Sequence, residues 1–342
     1  MAAAAAMASS AGKLQDTPPP APQPQSKNTF NPQISLVTDL RYDAVQSDPT
    51  RTKRFYMSEA ELGFAADVDP FLKAEAYVAF ADDGAGGTEA EVEEAFGRYS
   101  NLGRGVSGKF GKIAAAIGRV QRNHADQLPW LDYPLVIQDF LGEEGFRAGG
   151  ASLSYMFPGD RFNEITLEAM DGANTNLFGR SNGGNPVLVG HYRTFFDFSE
   201  DSSAQLGFSF ANGPGAASGQ ASMYGADLTY KLQPGNGKSL VLEAEAYGAK
   251  PGSGMKNNFG GFAALTYQLM PRVFGTAKLD YSEIPGTKDI QRAWSLGATL
   301  KPTEFHFWRV EWQTIDSNFQ GRRNQLTLQF VWMIGAHPAH KY

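Results

Sequence analysis

From Phe30 to its end, this chain is a succession of segments in which apolar and polar side chains alternate, bounded by clusters of Gly, Pro, Asn and Asp. A period of two is the pattern of a β-strand with one oily and one wet face. In 72–80, Leu72, Ala74, Ala76, Val78 and Phe80 alternate with Lys73, Glu75 and Tyr77. Near the end, Leu326, Leu328, Phe330, Trp332 and Ile334 alternate with Gln325, Thr327 and Gln329. The rhythm predicts strands near 31–42, 54–67, 70–80, 90–100, 108–119, 146–157, 162–170, 186–198, 203–211, 221–232, 238–249, 258–268, 272–281, 291–300, 304–315 and 323–335.

The placement of charge decides which face meets which solvent. Polar positions carry acids at Asp39, Glu59, Glu61, Glu75, Glu94, Glu164, Glu168, Asp197, Asp227, Glu243, Glu245, Asp280 and Glu311. The bases are Arg41, Lys73, Arg98, Lys112, Arg193, Lys231, Lys278 and Arg309. So many charges do not fit the dry interior of a soluble sandwich, whereas a water-filled lumen accommodates them. The apolar face is nearly free of charge and carries Trp294, Trp308, Trp312, Trp332, Tyr192, Tyr230, Tyr267 and Tyr281, several near strand ends where interfacial girdles form. The expected fold class is therefore all-β: a single antiparallel transmembrane β-barrel of about sixteen strands, in residues 29–342, with long outer loops and short periplasmic turns. No apolar stretch is long enough for a spanning helix. Residues 1–28, rich in Ala and then in Pro and Gln, read as a disordered leader or signal remnant.

Composition removes several function classes. With no cysteine there is neither a zinc–thiolate site nor a cysteine nucleophile, and the absence suits an oxidising envelope compartment. A net charge of −6 without a basic stripe argues against a nucleic-acid partner. No G-x-S-x-G elbow or phosphate-cradling loop is present, so neither an enzyme nor a cofactor is expected. His337 and His340 in the tail are weak metal candidates, set against a tail packed at the barrel rim.

The stretches VEEAFGRYSNLGRG (Val92–Gly105), GKFGKIAAAIGRVQRNH (Gly108–His124) and LPWLDYPLVIQDFLGEEG (Leu128–Gly145) resemble a strand, turn, strand and long loop of the phosphate-selective porin superfamily. The resemblance implies a sixteen-stranded barrel, often a homotrimer, whose third outer loop folds inward to narrow a pore. Here that loop is 120–145. The expected constriction residues are Arg119, Arg122, His124, Asp126, Trp130, Asp132, Tyr133, Asp139, Glu143 and Glu144. The expected lumen lining is Glu61, Lys73, Glu75, Glu94, Arg98, Glu164, Glu168, His191, Arg193, Asp227, Glu243, Glu245, Lys278, Arg309 and Glu311. The Lys and Arg ladder that phosphate selectivity requires is missing, and the acidic excess points instead to a weak cation preference. The expected function is passive diffusion of small hydrophilic solutes or ions through an outer-membrane channel surrounded by lipid. The alternative is a non-conducting receptor or structural barrel that binds a ligand or metal chelate through its outer loops.

Overall fold

The computed structural model describes residues 32–47, 50–172, 176–180, 184–235 and 237–335. The leader expectation for 1–28 and the metal candidates His337 and His340 lie outside them. The described chain forms a closed antiparallel barrel in which each strand pairs with its sequence neighbours and the first pairs with the sixteenth. Its first half runs Gln33–Ser47 (β1), Thr50–Asp67 (β2), Leu72–Asp82 (β3), Thr88–Gly103 (β4), Val106–Ala114 (β5), Arg147–Met156 (β6), Asn163–Met170 (β7) and Val187–Ser199 (β8). The second half runs Ser202–Pro214 (β9), Gln220–Leu232 (β10), Leu240–Lys250 (β11), Asn258–Met270 (β12), Val273–Glu283 (β13), Ile290–Leu300 (β14), His306–Ser317 (β15) and Gly321–Gly335 (β16). All sixteen expected strands are present. Closure matters because hydrocarbon offers no partner to an unpaired sheet edge.

Alternation places the two faces as the sequence implies. On β15, Trp308, Val310 and Trp312 are each more than 40% exposed on the outside, while Arg309 and Glu311 between them are 2% exposed within. On β16, Leu326 and Leu328 face out and Thr327 and Gln329 face in, fully buried. Register shifts occur in five of the ladders, and two of them fall well inside the strands. One interrupts the β1–β2 ladder between Asp39 and Leu40, and the other interrupts β3–β4 between Tyr77 and Val78. A bulge inserts a residue and re-aims the side chains beyond it. In β4 it turns both Glu93 and Glu94 inward, at 5% and 1% exposure.

Several sequence expectations need correction. The fifth strand stops at Ala114 rather than 119, because the next amides leave the ladder: Ala115 N–H bonds the carbonyl of Phe146, and Ala116 N–H bonds the Glu168 carboxylate. Lys112 shares the outward parity of Phe110, and its Nζ bonds Glu91 and the Val92 carbonyl, whereas Lys109 points inward over the Phe96 ring. The outer connections are mostly short as well. Residues 211–220, rich in Gly, Ala and Ser, largely extend β9 and β10, so that 215–219 alone turn the chain. By the bounds of the strands, the third and fourth outer connections are the long ones, and the other strands take up residues that composition assigns to loops.

The lipid face supplies a direct test. Leu279, 65% exposed in the middle of β13, meets hydrocarbon, and Leu279→Arg is expected to cost about 2–4 kcal/mol of unfolding free energy in vesicles. Lys231→Glu, on the lumen side of β10, is expected to stay within about 0.5 kcal/mol, and equal losses for the two would contradict the facing.

Candidate functional site: a loop docked inside the barrel

The connection from β5 to β6 (115–146) runs within the barrel. It holds two 3-10 turns, Val120–Arg122 and Ala125–Gln127, and one short helix, Leu135–Leu141 (α1). Pro134 precedes the helix, and Gly142 closes it at a φ of 103°, a left-handed position that suits a residue without Cβ. The apolar side chains of this segment need cover, since the water around them would otherwise be polar lumen water. They find it against one another and the wall: Trp130, Val136, Ile137, Phe140 and Leu141 are fully buried. Each contributes about 1.5–3 kcal/mol relative to exposure. Trp130 packs edge-on to Phe262 of β12 at 5.6 Å between ring centroids, and Phe146 stacks on Phe178 of the next outer connection at 6.0 Å.

Wall side chains grip the main chain of the loop. Carboxylates from alternate regions of the barrel accept its N–H groups. Glu94 takes the last amide of β5, Ala114, at 2.7 Å; within the loop, Glu168 takes Ala116 at 2.7 Å, Glu245 takes Arg119 and Val120 at 2.8 Å each, Glu311 takes Leu131 at 3.2 Å, and Asp280 takes Leu135 at 3.1 Å. Bases hold its carbonyls. Arg309 donates to Trp130 at 2.7 Å and Leu128 at 2.6 Å, while Lys278 donates to Asp132 at 3.4 Å. A hydrogen bond to a charged group is worth about 1.5–3 kcal/mol, and a buried amide left without one costs a similar amount. Gly118, at a φ of +62°, lets the loop approach this wall, because a Cβ there would overlap the Tyr247 hydroxyl and lie 2.7 Å from Glu245 Oε2.

The expected constriction residues fall into three groups. Arg119 pairs with Glu243 and also reaches Thr229; Asp132 pairs with Arg41 at 2.7 Å; Asp139 accepts from Gln291 at 3.0 Å. His124 is 2% exposed with its Nδ1 between Glu61 and Glu93, Arg122 is buried beside it in sequence, and Tyr133 accepts from Arg147 at 3.0 Å. Asp126 is half-buried, while Glu143 and Glu144 are exposed. Burial alone would raise the Asp132 carboxyl, but the Arg41 guanidinium outweighs it and holds the group below its ordinary range. Burial likewise acts to lower His124, and the carboxylates of Glu61 and Glu93 overcome it and raise the imidazole. The Tyr133 hydroxyl is pushed up to about 12 by burial.

The expected lumen residues all lie on the inward face, though many are paired rather than free in the channel. Glu75 pairs with Arg98, Glu164 with Arg193 at 2.8 Å, His191 with Asp227 at 3.3 Å, and Lys278 with Asp280 at 3.2 Å. Lys73 stands opposite Arg98 near the end that holds the chain termini. Sequence reasoning missed Glu93 and Lys109. The bulge hides the first, since strict alternation assigns it outward, and the misplaced parity of β5 hides the second.

The docking makes a specific claim on Glu245. Glu245→Ala removes the acceptor of two loop amides, so amide exchange at Arg119 and Val120 is expected to accelerate by the equivalent of about 1–3 kcal/mol, with β1–β4 unchanged. Unaltered exchange at these two amides would show that the carboxylate does not hold the loop.

No protein-family model matches the chain. It is 25% identical over 390 aligned residues to an uncharacterized protein of Aquifex aeolicus (strain VF5), an alignment that covers 93% of this chain and 81% of that one. Its similarity to solved structures lies in shape. The anion-selective porin from Comamonas acidovorans aligns with a TM-score of 0.61 at 10% identity, over 89% of this chain and 99% of that one. The outer membrane channel DcaP of Acinetobacter baumannii gives 0.60 at 15% identity, over 90% and 99%. The trimer form of OmpT, an outer membrane protein of Vibrio cholerae, gives 0.59 at 11% identity, over 89% and 100%. The chain thus has the fold of the outer-membrane porins, a sixteen-stranded barrel that crosses its membrane with strands.

Proposed function

We propose that this chain is an outer-membrane porin through which small hydrophilic solutes diffuse down their gradients, with a weak preference for cations, and that 115–146 sets its narrowest part. The observation that carries the reading is the charged inner face of a lipid-embedded barrel, around a loop held at that face by wall carboxylates. A soluble barrel has no use for this division of faces, and a lumen lined by charge favours water and ions. The cation preference rests on an excess of inward acids. Glu59, Glu61, Glu93, Glu243, Glu245 and Asp227 lie on the lumen side, joined by Asp126, Asp132, Asp139, Glu143 and Glu144 from the loop. Kinship with the phosphate-selective porins extends, in this reading, to the barrel and loop and not to the solute, because no Lys ladder faces the lumen among the described residues. A homotrimer is the proposed assembly, by analogy with the trimer form of the Vibrio barrel.

The second reading, a closed receptor, draws on the packed apolar cluster that the loop forms inside the barrel. Planar-bilayer recording separates the two: a porin conducts without added ligand, and a receptor of this kind does not. In a salt gradient the reversal potential is expected to carry the sign of cation preference, and a clear anion preference would overturn that assignment. Replacing Asp126, Asp132, Asp139, Glu143 and Glu144 together by their amides is expected to move the reversal potential toward anions. An unchanged potential and conductance would remove the loop from the constriction.

A further inference from the structure

We propose that Glu61, Glu93 and His124 form a binding site for a divalent transition-metal ion of the Zn²⁺ or Mn²⁺ kind, which fastens the lumen loop to the barrel wall. The inference concerns binding and stands whether or not the barrel conducts.

Three chain segments meet at this point. Glu61 comes from β2, Glu93 from β4 and His124 from the loop, and one ligand atom from each lies within 4.8 Å of the others. His124 Nδ1 is aimed between the two carboxylates, in contact with Glu61 Oε2 and 2.7 Å from Glu93 Oε2. All three side chains are buried, at 2% exposure for Glu61 and His124 and 5% for Glu93, and the Tyr77 ring walls the imidazole at 5.2 Å between centroids. A second set overlaps the first: Glu59, Glu93 and Glu144 also bring ligand atoms within 4.8 Å, with Glu93 common to both.

Two features beyond the acids point to a cation of this kind. The first is the imidazole, a nitrogen donor carried on a loop and buried at the focus of carboxylates from the wall. Carboxylates alone suit Mg²⁺ or Ca²⁺, whereas a nitrogen added to oxygen donors selects the first transition row. The second is charge. Two carboxylates flank the imidazole and two more gather about Glu93, and a buried guanidinium beside them, that of Arg147, offsets part of this charge while its Nη2 donates to the Tyr133 hydroxyl and the Asn123 carbonyl. Bringing like charges together in a poorly hydrated place is costly, and a divalent ion offsets that cost at its source. The β4 bulge delivers Glu93 to the spot, since unbroken alternation would turn it to lipid.

The test uses the full chain in detergent micelles with His337→Ala and His340→Ala, so that the tail contributes no imidazole. Titration calorimetry with ZnCl₂ is expected to show one saturable equivalent, and thermal unfolding is expected to shift upward with Zn²⁺ or Mn²⁺ but not with Mg²⁺. His124→Ala and Glu93→Gln are each expected to weaken zinc binding by about tenfold or more, with far-UV circular dichroism confirming that the barrel persists. X-ray absorption of the zinc-loaded chain supplies a readout that needs no substitution at the site, and it is expected to show N/O ligation including one imidazole. The absence of saturable binding, equal stabilisation by Mg²⁺, binding indifferent to His124→Ala, or a spectrum without imidazole would each overturn the proposal.

Discussion

Everything in this molecule turns on the need to satisfy main-chain amides where water is scarce. In hydrocarbon the only solution open to strands is closure, so each of the sixteen pairs with both neighbours and no edge remains. Inside the barrel the same need returns in a different form. A loop that leaves the sheet and crosses the lumen carries amides and carbonyls that have lost their ladder, and the wall meets them with charged side chains. Glu168, Glu245, Asp280 and Glu311 accept its N–H groups, while Arg309 and Lys278 donate to its carbonyls.

This shifts the meaning of charge in the lumen. Read from sequence, inward carboxylates are pore-lining groups exposed to passing ions. In the structure several of them are anchors, with oxygens that accept the loop's amides. The clearest case is Glu245, where one carboxylate holds two loop amides and accepts from Tyr247.

The fold was legible from the amino-acid order because a period of two is local: Leu326, Thr327, Leu328 and Gln329 declare their faces without reference to any distant residue. That the third outer connection turns inward was suggested by the resemblance and not by the residues themselves. Its internal structure was less legible. α1 is a short helix among apolar residues, and nothing in LVIQDFL separates a helix packed within a lumen from a strand-like run. The bulges escaped notice because an inserted residue has no compositional mark, and they moved Glu93 to the inner face. Pairings such as Arg41 with Asp132 join groups 91 residues apart, a relation that only the closed barrel creates.

The grip of wall side chains on the loop's backbone has an evolutionary corollary. Peptide amides and carbonyls are the same whatever residue bears them, so part of this segment's path is written in the strands, beside what its own glycines and apolar side chains fix. Its side chains outside the apolar contacts, such as Asp126 and Glu143, can be exchanged without rerouting the chain. A barrel of this design can vary the side chains along one stretch of its interior while its architecture stays put.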